Sequence, residues 1–276
     1  MLKLSGKYIS NDDVKIICDY QGLAKVRALD LSDNQISDDV LLTIFESENL
    51  VQIEELFLGI NFLTGQGLID IAGSNEIKLK NLKKLVVSDN RLTDLSVAEF
   101  MRSKNFPNLE SLDIGWNEVG NETAKALGEV SAFASLQCLE MERGYIEIEA
   151  LKEMVQGSLM DQLQELDLSA NKLKDEGVQV LALASKWKSL KALRLSQNMF
   201  GDDGAKALGE SVSLAGLTQL YIGRNYFGAE GAQAIYESKT ITGLKTLVLK
   251  EGVESDPGLV NYSRPELLRP DDPNSI

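Results

Sequence analysis

A run of the form Leu-x-x-Leu-x-Leu-x-x-Asn-x-Leu returns along most of this chain at a fixed spacing, and a fixed spacing constrains a fold more tightly than composition can. The first clear copy is Val26, Leu29, Leu31, Asn34 and Ile36; the second, 27 residues later, is Ile53, Leu56, Leu58, Asn61 and Leu63. Further copies start at Leu82, Leu109, Leu136, Leu163, Leu190, Leu217 and Leu244, each 27 residues after the last except the step from Ile53 to Leu82, which is 29. The two extra residues are expected in a loop between Gly73 and Lys80. Stepping back 27 residues from Leu29, Leu31 and Ile36 lands on Leu2, Leu4 and Ile9, so nine starts follow a leading partial copy. A unit this short cannot bury its own apolar face, and only stacking against its neighbours does so.

Leu-x-Leu puts two apolar side chains on one face of a strand and the residue between them on the other. Counted from the last apolar position of the strand motif, apolar residues return at plus five and plus eight, from Leu41 and Ile44 to Ala232 and Ile235. That spacing is one stripe of a helix. The second halves read Val119-Gly-Asn-Glu-Thr-Ala-Lys-Ala-Leu127, Phe200-Gly-Asp-Asp-Gly-Ala-Lys-Ala-Leu208 and Phe227-Gly-Ala-Glu-Gly-Ala-Gln-Ala-Ile235. With the strand motif and unit length, they resemble the ribonuclease-inhibitor type of leucine-rich repeat over residues 1–253. Strands sit about 4.8 Å apart while packed helices need roughly 8–10 Å, so a stack of such units curves. The expected fold is α/β: a right-handed solenoid or horseshoe, with a parallel sheet on the concave face and helices on the convex face. Pro257, Pro265, Pro270 and Pro273 break the pattern, so residues 254–276 are expected to form a C-terminal cap or tail beyond the 1–253 repeat domain.

The asparagine of each unit follows a tight turn, where a side-chain amide can satisfy backbone groups left inside the stack. Asn34, Asn61, Asn90, Asn117, Asn171, Asn198 and Asn225 supply it; Gly144 and Gly252 do not.

Several function classes are excluded by what the chain lacks. It has no histidine, which removes histidine-dependent hydrolytic triads and histidine–zinc sites. Its 28 basic and 42 acidic residues give a net charge of −14, against a nucleic-acid partner, whose affinity comes mostly from Lys and Arg. No apolar stretch approaches the roughly 20 residues of a membrane span. No signal-peptide core interrupts the lysines at the N-terminus, and two cysteines are too few for a disulfide framework, so a cytoplasmic home is expected. No phosphate-binding loop is present, and neither cofactor nor metal is expected. The acidic clusters at Asn11–Asp13, Ser37–Asp39 and Gly201–Asp203 each open a predicted helix and read as caps. Cys18 is expected in the core, and Cys138 on the concave face has no activating histidine, so no catalytic residue is assigned.

Concave-face residues point away from the core and are free to serve binding. Between the paired leucines stand Asp30, Phe57, Val86, Asp113, Glu140, Asp167, Arg194, Tyr221 and Val248. Three clusters are expected there: apolar Phe57, Ile60 and Phe62; Trp116 with Glu140, Glu142, Arg143 and Tyr145; and Arg194, Tyr221, Arg224 and Tyr226. Tyr, Trp and Arg are the residues enriched in binding hot spots. The expected function is therefore a non-catalytic protein-protein interaction scaffold, its acidic arc suited to a partner with a basic surface. What the resemblance implies leaves alternatives open: a GTPase-activating protein for a small GTPase, an inhibitor of a basic enzyme such as a ribonuclease, or a bacterial effector delivered into a host cell. The strand at residues 1–9 leaves an edge, so the chain is expected to be a monomer or a weak homodimer through it.

Overall fold

A computed structural model describes residues 1–129 and 133–249; the cap or tail expected at 254–276, and Gly252, lie outside the described residues. Strands β1 (Leu2–Lys3), β2 (Ala28–Asp30), β3 (Glu55–Phe57), β4 (Lys84–Val86), β5 (Ser111–Asp113), β6 (Cys138–Glu140), β7 (Glu165–Asp167), β8 (Ala192–Arg194), β9 (Gln219–Tyr221) and β10 (Thr246–Val248) pair in chain order into one parallel sheet. Register holds at every step, leucine beside leucine from Leu2 and Leu29 through to Leu220 and Leu247. The insertion after the second unit leaves it intact, because Phe57 pairs with Val86 in spite of the longer connection.

A helix follows each strand except the last: α1 (Asn11–Asp19), α2 (Leu41–Phe45), α3 (Gln66–Gly73), α4 (Asp94–Met101), α5 (Asn121–Glu129), α6 (Ile148–Met154), α7 (Lys174–Leu183), α8 (Asp202–Glu210) and α9 (Ala229–Tyr236), among the described residues. The two expected helix positions are buried in every unit from Leu41 and Ile44 to Ala232 and Ile235, against the leucine face of the sheet. One core runs from Val14 to Leu249, and Cys18 lies in it as expected. Burying a leucine contributes about 1.5–3 kcal/mol, so strands of three residues persist because each presents its leucines to a shared core. The fold is the expected α/β solenoid, with the sheet concave and the helices convex.

The turn after each strand has a geometry that the letters do not announce. The residue just before the ladder position has a positive φ in eight consecutive units: Asp33, Ile60, Asp89, Trp116, Arg143, Ala170, Gln197 and Arg224, between 51° and 59°. This left-handed step turns backbone carbonyls toward the amide that follows. Asn117 shows the result: its Nδ2 donates to the carbonyls of Val87, Ile114 and Gly115, while its Oδ1 accepts from the N–H groups of Asn90 and Leu92 in the previous unit.

The acidic residues at helix starts cap as expected, but mostly across a unit boundary. Asp13 forms a capping box with Ser10 of its own helix. Asp38 instead accepts from Thr64 N–H, Asp175 from Gly201 and Gly204, and Asp202 from Gly228 and Gly231, each in the following unit. Asp94 holds the start of α5 by the N–H groups of Gly120, Glu122 and Thr123. Asp38, Asp94, Asp175 and Asp202 therefore each serve the next helix N-terminus and tie two units together.

Candidate functional site

Because register is uniform, the residues between the paired leucines form one row across the concave face: Asp113 beside Glu140, Glu140 beside Asp167, Asp167 beside Arg194, Arg194 beside Tyr221. Neighbouring strands lie about 4.8 Å apart, so three carboxylates stand abreast. Glu165 on β7 and Glu142 just after β6 extend the acidic field along the strands. Burial pushes the carboxyls of Asp113, Glu140 and Asp167 above their ordinary values, and the charges of Asp113 and Asp167 push Glu140 further. Hydrogen bonds from Ser88 and from the Gly115 and Ser169 backbone partly offset the burial of the two aspartates. Arg194 stands 3.9 Å from Asp167 at one end of the row. The same environment pushes the Cys138 thiol up to about 11, by burial and by Glu165 and Glu140, which keeps it protonated.

The residues expected in three clusters separate into two surfaces. Phe57, Glu140, Arg194 and Tyr221 lie in strands on the concave row, with Lys84 5.7 Å over the Phe57 ring and Arg194 4.0 Å over the Tyr221 ring. Tyr221 is only 5% exposed, so most of its ring is covered rather than offered to a partner. Ile60, Trp116, Arg143 and Arg224 occupy the left-handed turn, and Phe62, Tyr145 and Tyr226 follow the ladder position on the loop toward the helix. These seven therefore lie along the loop edge of the horseshoe, beside the sheet rather than on its face. There Arg91 lies 5.6 Å over the Phe62 ring, Arg143 3.6 Å over Trp116 and Lys172 5.8 Å over Tyr145. Trp116 and Tyr145, from adjacent units, are both exposed.

A left-handed backbone is unfavourable for β-branched and bulky residues, so Ile60 and Trp116 are held there against local preference. Nothing in the sequence marks that strain, because the same position carries Asp, Ala, Gln and Arg elsewhere. Asp113 and Asp167 were legible in the row but become part of the candidate site only through their half-buried packing beside Glu140. Among the described residues, no group of three or more His, Cys, Asp or Glu side chains is placed to hold a metal ion. No helix among them is long and apolar enough to cross a membrane.

A family model described as Leucine Rich repeat matches residues 22–41, 78–101, 107–128, 163–182 and 188–209, each stretch falling on the units just described. Over those five stretches the chain is similar to leucine-rich repeats. Among solved structures it is similar to the crystal structure of an internalin from Listeria monocytogenes str. 4b F2365, with 19% sequence identity and a TM-score of 0.43, over 95% of this chain and 84% of that one. No curated protein matches the chain. In this chain the leucines, the ladder asparagines and the caps build the stack, and the concave row and the loop edge lie outside it.

Proposed function

We propose that the chain is a non-catalytic protein-interaction scaffold of the ribonuclease-inhibitor type, working in a cytoplasm and taking a basic protein surface against its concave face. The observation that carries this reading is the row Asp113, Glu140 and Asp167. Three carboxylates held abreast, each with its ionised form disfavoured by burial, are relieved when a cation of a partner lies between them. Arg194 and Lys84 at the two ends of the field supply register, and the net charge of −14 steers a basic partner in from a distance. The 27-residue unit with a convex helix supports the subtype. A basic enzyme held inactive is one partner of this chemistry.

The test is affinity capture from cell lysate by wild-type protein and by a Glu140→Lys, Glu142→Lys variant whose circular dichroism matches it. A basic protein retained only by the wild type, and released as salt is raised, is the expected result. Equal capture by both forms would remove the concave face from the proposal.

A further inference from the structure

The unit of Gly144, which has no ladder asparagine, lacks hydrogen bonds on both sides. In four other units the amide oxygen takes two N–H groups of the preceding unit, as Asn90 Oδ1 takes those of Asn61 and Leu63 and Asn117 Oδ1 those of Asn90 and Leu92, while Asn61 and Asn225 take one each. Gly144 has no such oxygen, and the corresponding N–H groups of Asn117 and Val119 find no acceptor among the described residues. A cavity of about 380 Å³ lies there, lined by these two residues, Gly144, Asp94, Arg143 and Tyr145. On the other side Asn171 is 1% exposed and its Oδ1 has no partner. A Cβ built on Gly144 would stand 2.8 Å from that oxygen and 2.7 Å from the Val119 carbonyl oxygen. Glycine is required by a backbone drawn this close, and no side chain at 144 fits without a shift. Buried polar groups in folded proteins are nearly always paired, so two idle donors on residues that line a cavity point to a group that fills it.

We propose that the gap at Gly144 is a notch for a carboxamide, the side chain of an Asn or Gln on a loop of a protein partner. Its oxygen accepts from the Asn117 and Val119 N–H groups, as the ladder amides of Asn117 and Asn90 do one and two units earlier. Asp94 and Glu118 line the same cavity, so a neutral carboxamide is favoured over a carboxylate. Trp116, with Arg143 3.6 Å over its ring, and exposed Tyr145 provide aromatic surface around the notch that shields the contact from water. The notch is on the loop edge and does not depend on the acidic row, so either can fail alone.

The test titrates the ¹⁵N-labelled full chain with N-acetyl-asparagine methylamide, its aspartate analogue and its alanine analogue, following the amide resonances of Asn117 and Val119. Saturable shifts at both amides are expected with the asparagine probe, responses about tenfold weaker with the aspartate probe, and none with alanine. Tyr145→Ala is expected to weaken the asparagine probe without changing circular dichroism. No saturable shift at these amides, or equal shifts with asparagine and alanine, would leave water as the sole occupant and overturn the proposal; tighter binding of the aspartate probe would overturn its chemistry.

Discussion

Asn117 holds five backbone groups with one side chain, whereas Asn171 holds two: the carbonyls of Met141 and Ser169. An unpaired buried polar group costs roughly 1–3 kcal/mol, moderated when neighbours relax or admit water. Asn117→Ala is therefore expected to destabilise by about 3 kcal/mol and Asn171→Ala by about half as much. Urea unfolding of the two variants measures the difference, and equal losses would show that the Gly144 gap does not reach Asn171. Glu140 behaves in the opposite sense. Its folded carboxyl is raised, by burial first and then by Asp113 and Asp167, so the folded state binds its proton more tightly than the unfolded chain. Stability from this group is present at low pH and is lost as pH rises through the raised value. Glu140→Gln is expected to raise the melting temperature at neutral pH, with a gain that shrinks as pH falls through the carboxylate range. A variant that melts lower at neutral pH would show Glu140 to be a structural partner of Arg194 instead.

The helices illustrate how far local reading goes. Acidic residues at Asp38, Asp202 and Asp203 mark helix starts, and α8 does begin at Asp202. What they bond to is another matter, since Asp202 serves Gly228 and Gly231 at the start of α9. Capping residues are worth about 1 kcal/mol, so Asp202→Ala is expected to destabilise by that order and to speed amide exchange at Gly228 and Gly231 more than at Gly204. Faster exchange confined to α8 would return the cap to its own helix. Strands were legible because Leu-x-Leu names both faces. Tyr221 was not, since alternation places it on the concave row but says nothing of the packing that leaves it 5% exposed.

Across the stack, polar ties are uneven. The boundary between the units of β6 and β7 lacks an accepted bond at Asn171 Oδ1, and Ile148 stands where Asp94, Asn121, Asp175 and Asp202 provide a capping oxygen elsewhere. A cavity of about 650 Å³ opens there beside Tyr145, Ile148, Lys172 and Met199. Stability in repeat proteins is a sum over units and their interfaces, so a weak interface divides cooperative blocks. Hydrogen exchange is expected to protect residues 28–129 and 163–235 as separate blocks, with the segment 144–149 exchanging fastest between them. Uniform protection across that boundary would mean that apolar packing alone carries it.

Period, strand, helix stripe and core were all readable from spacing, because a solenoid places residue i beside residue i+27 and turns neighbourhood into arithmetic. Leu29 beside Leu56 and Asp113 beside Glu140 follow from that count without any coordinate. The count does not give backbone dihedrals or the pairing of individual polar atoms. The positive φ at Ile60 and Trp116, the shift of Phe62, Tyr145 and Tyr226 to the loop edge, the caps that cross unit boundaries, and the idle N–H groups of Asn117 and Val119 all emerged from the folded chain. Each depends on two units at once: whether a donor is satisfied is decided by an atom of the next repeat, at a distance that no single unit specifies.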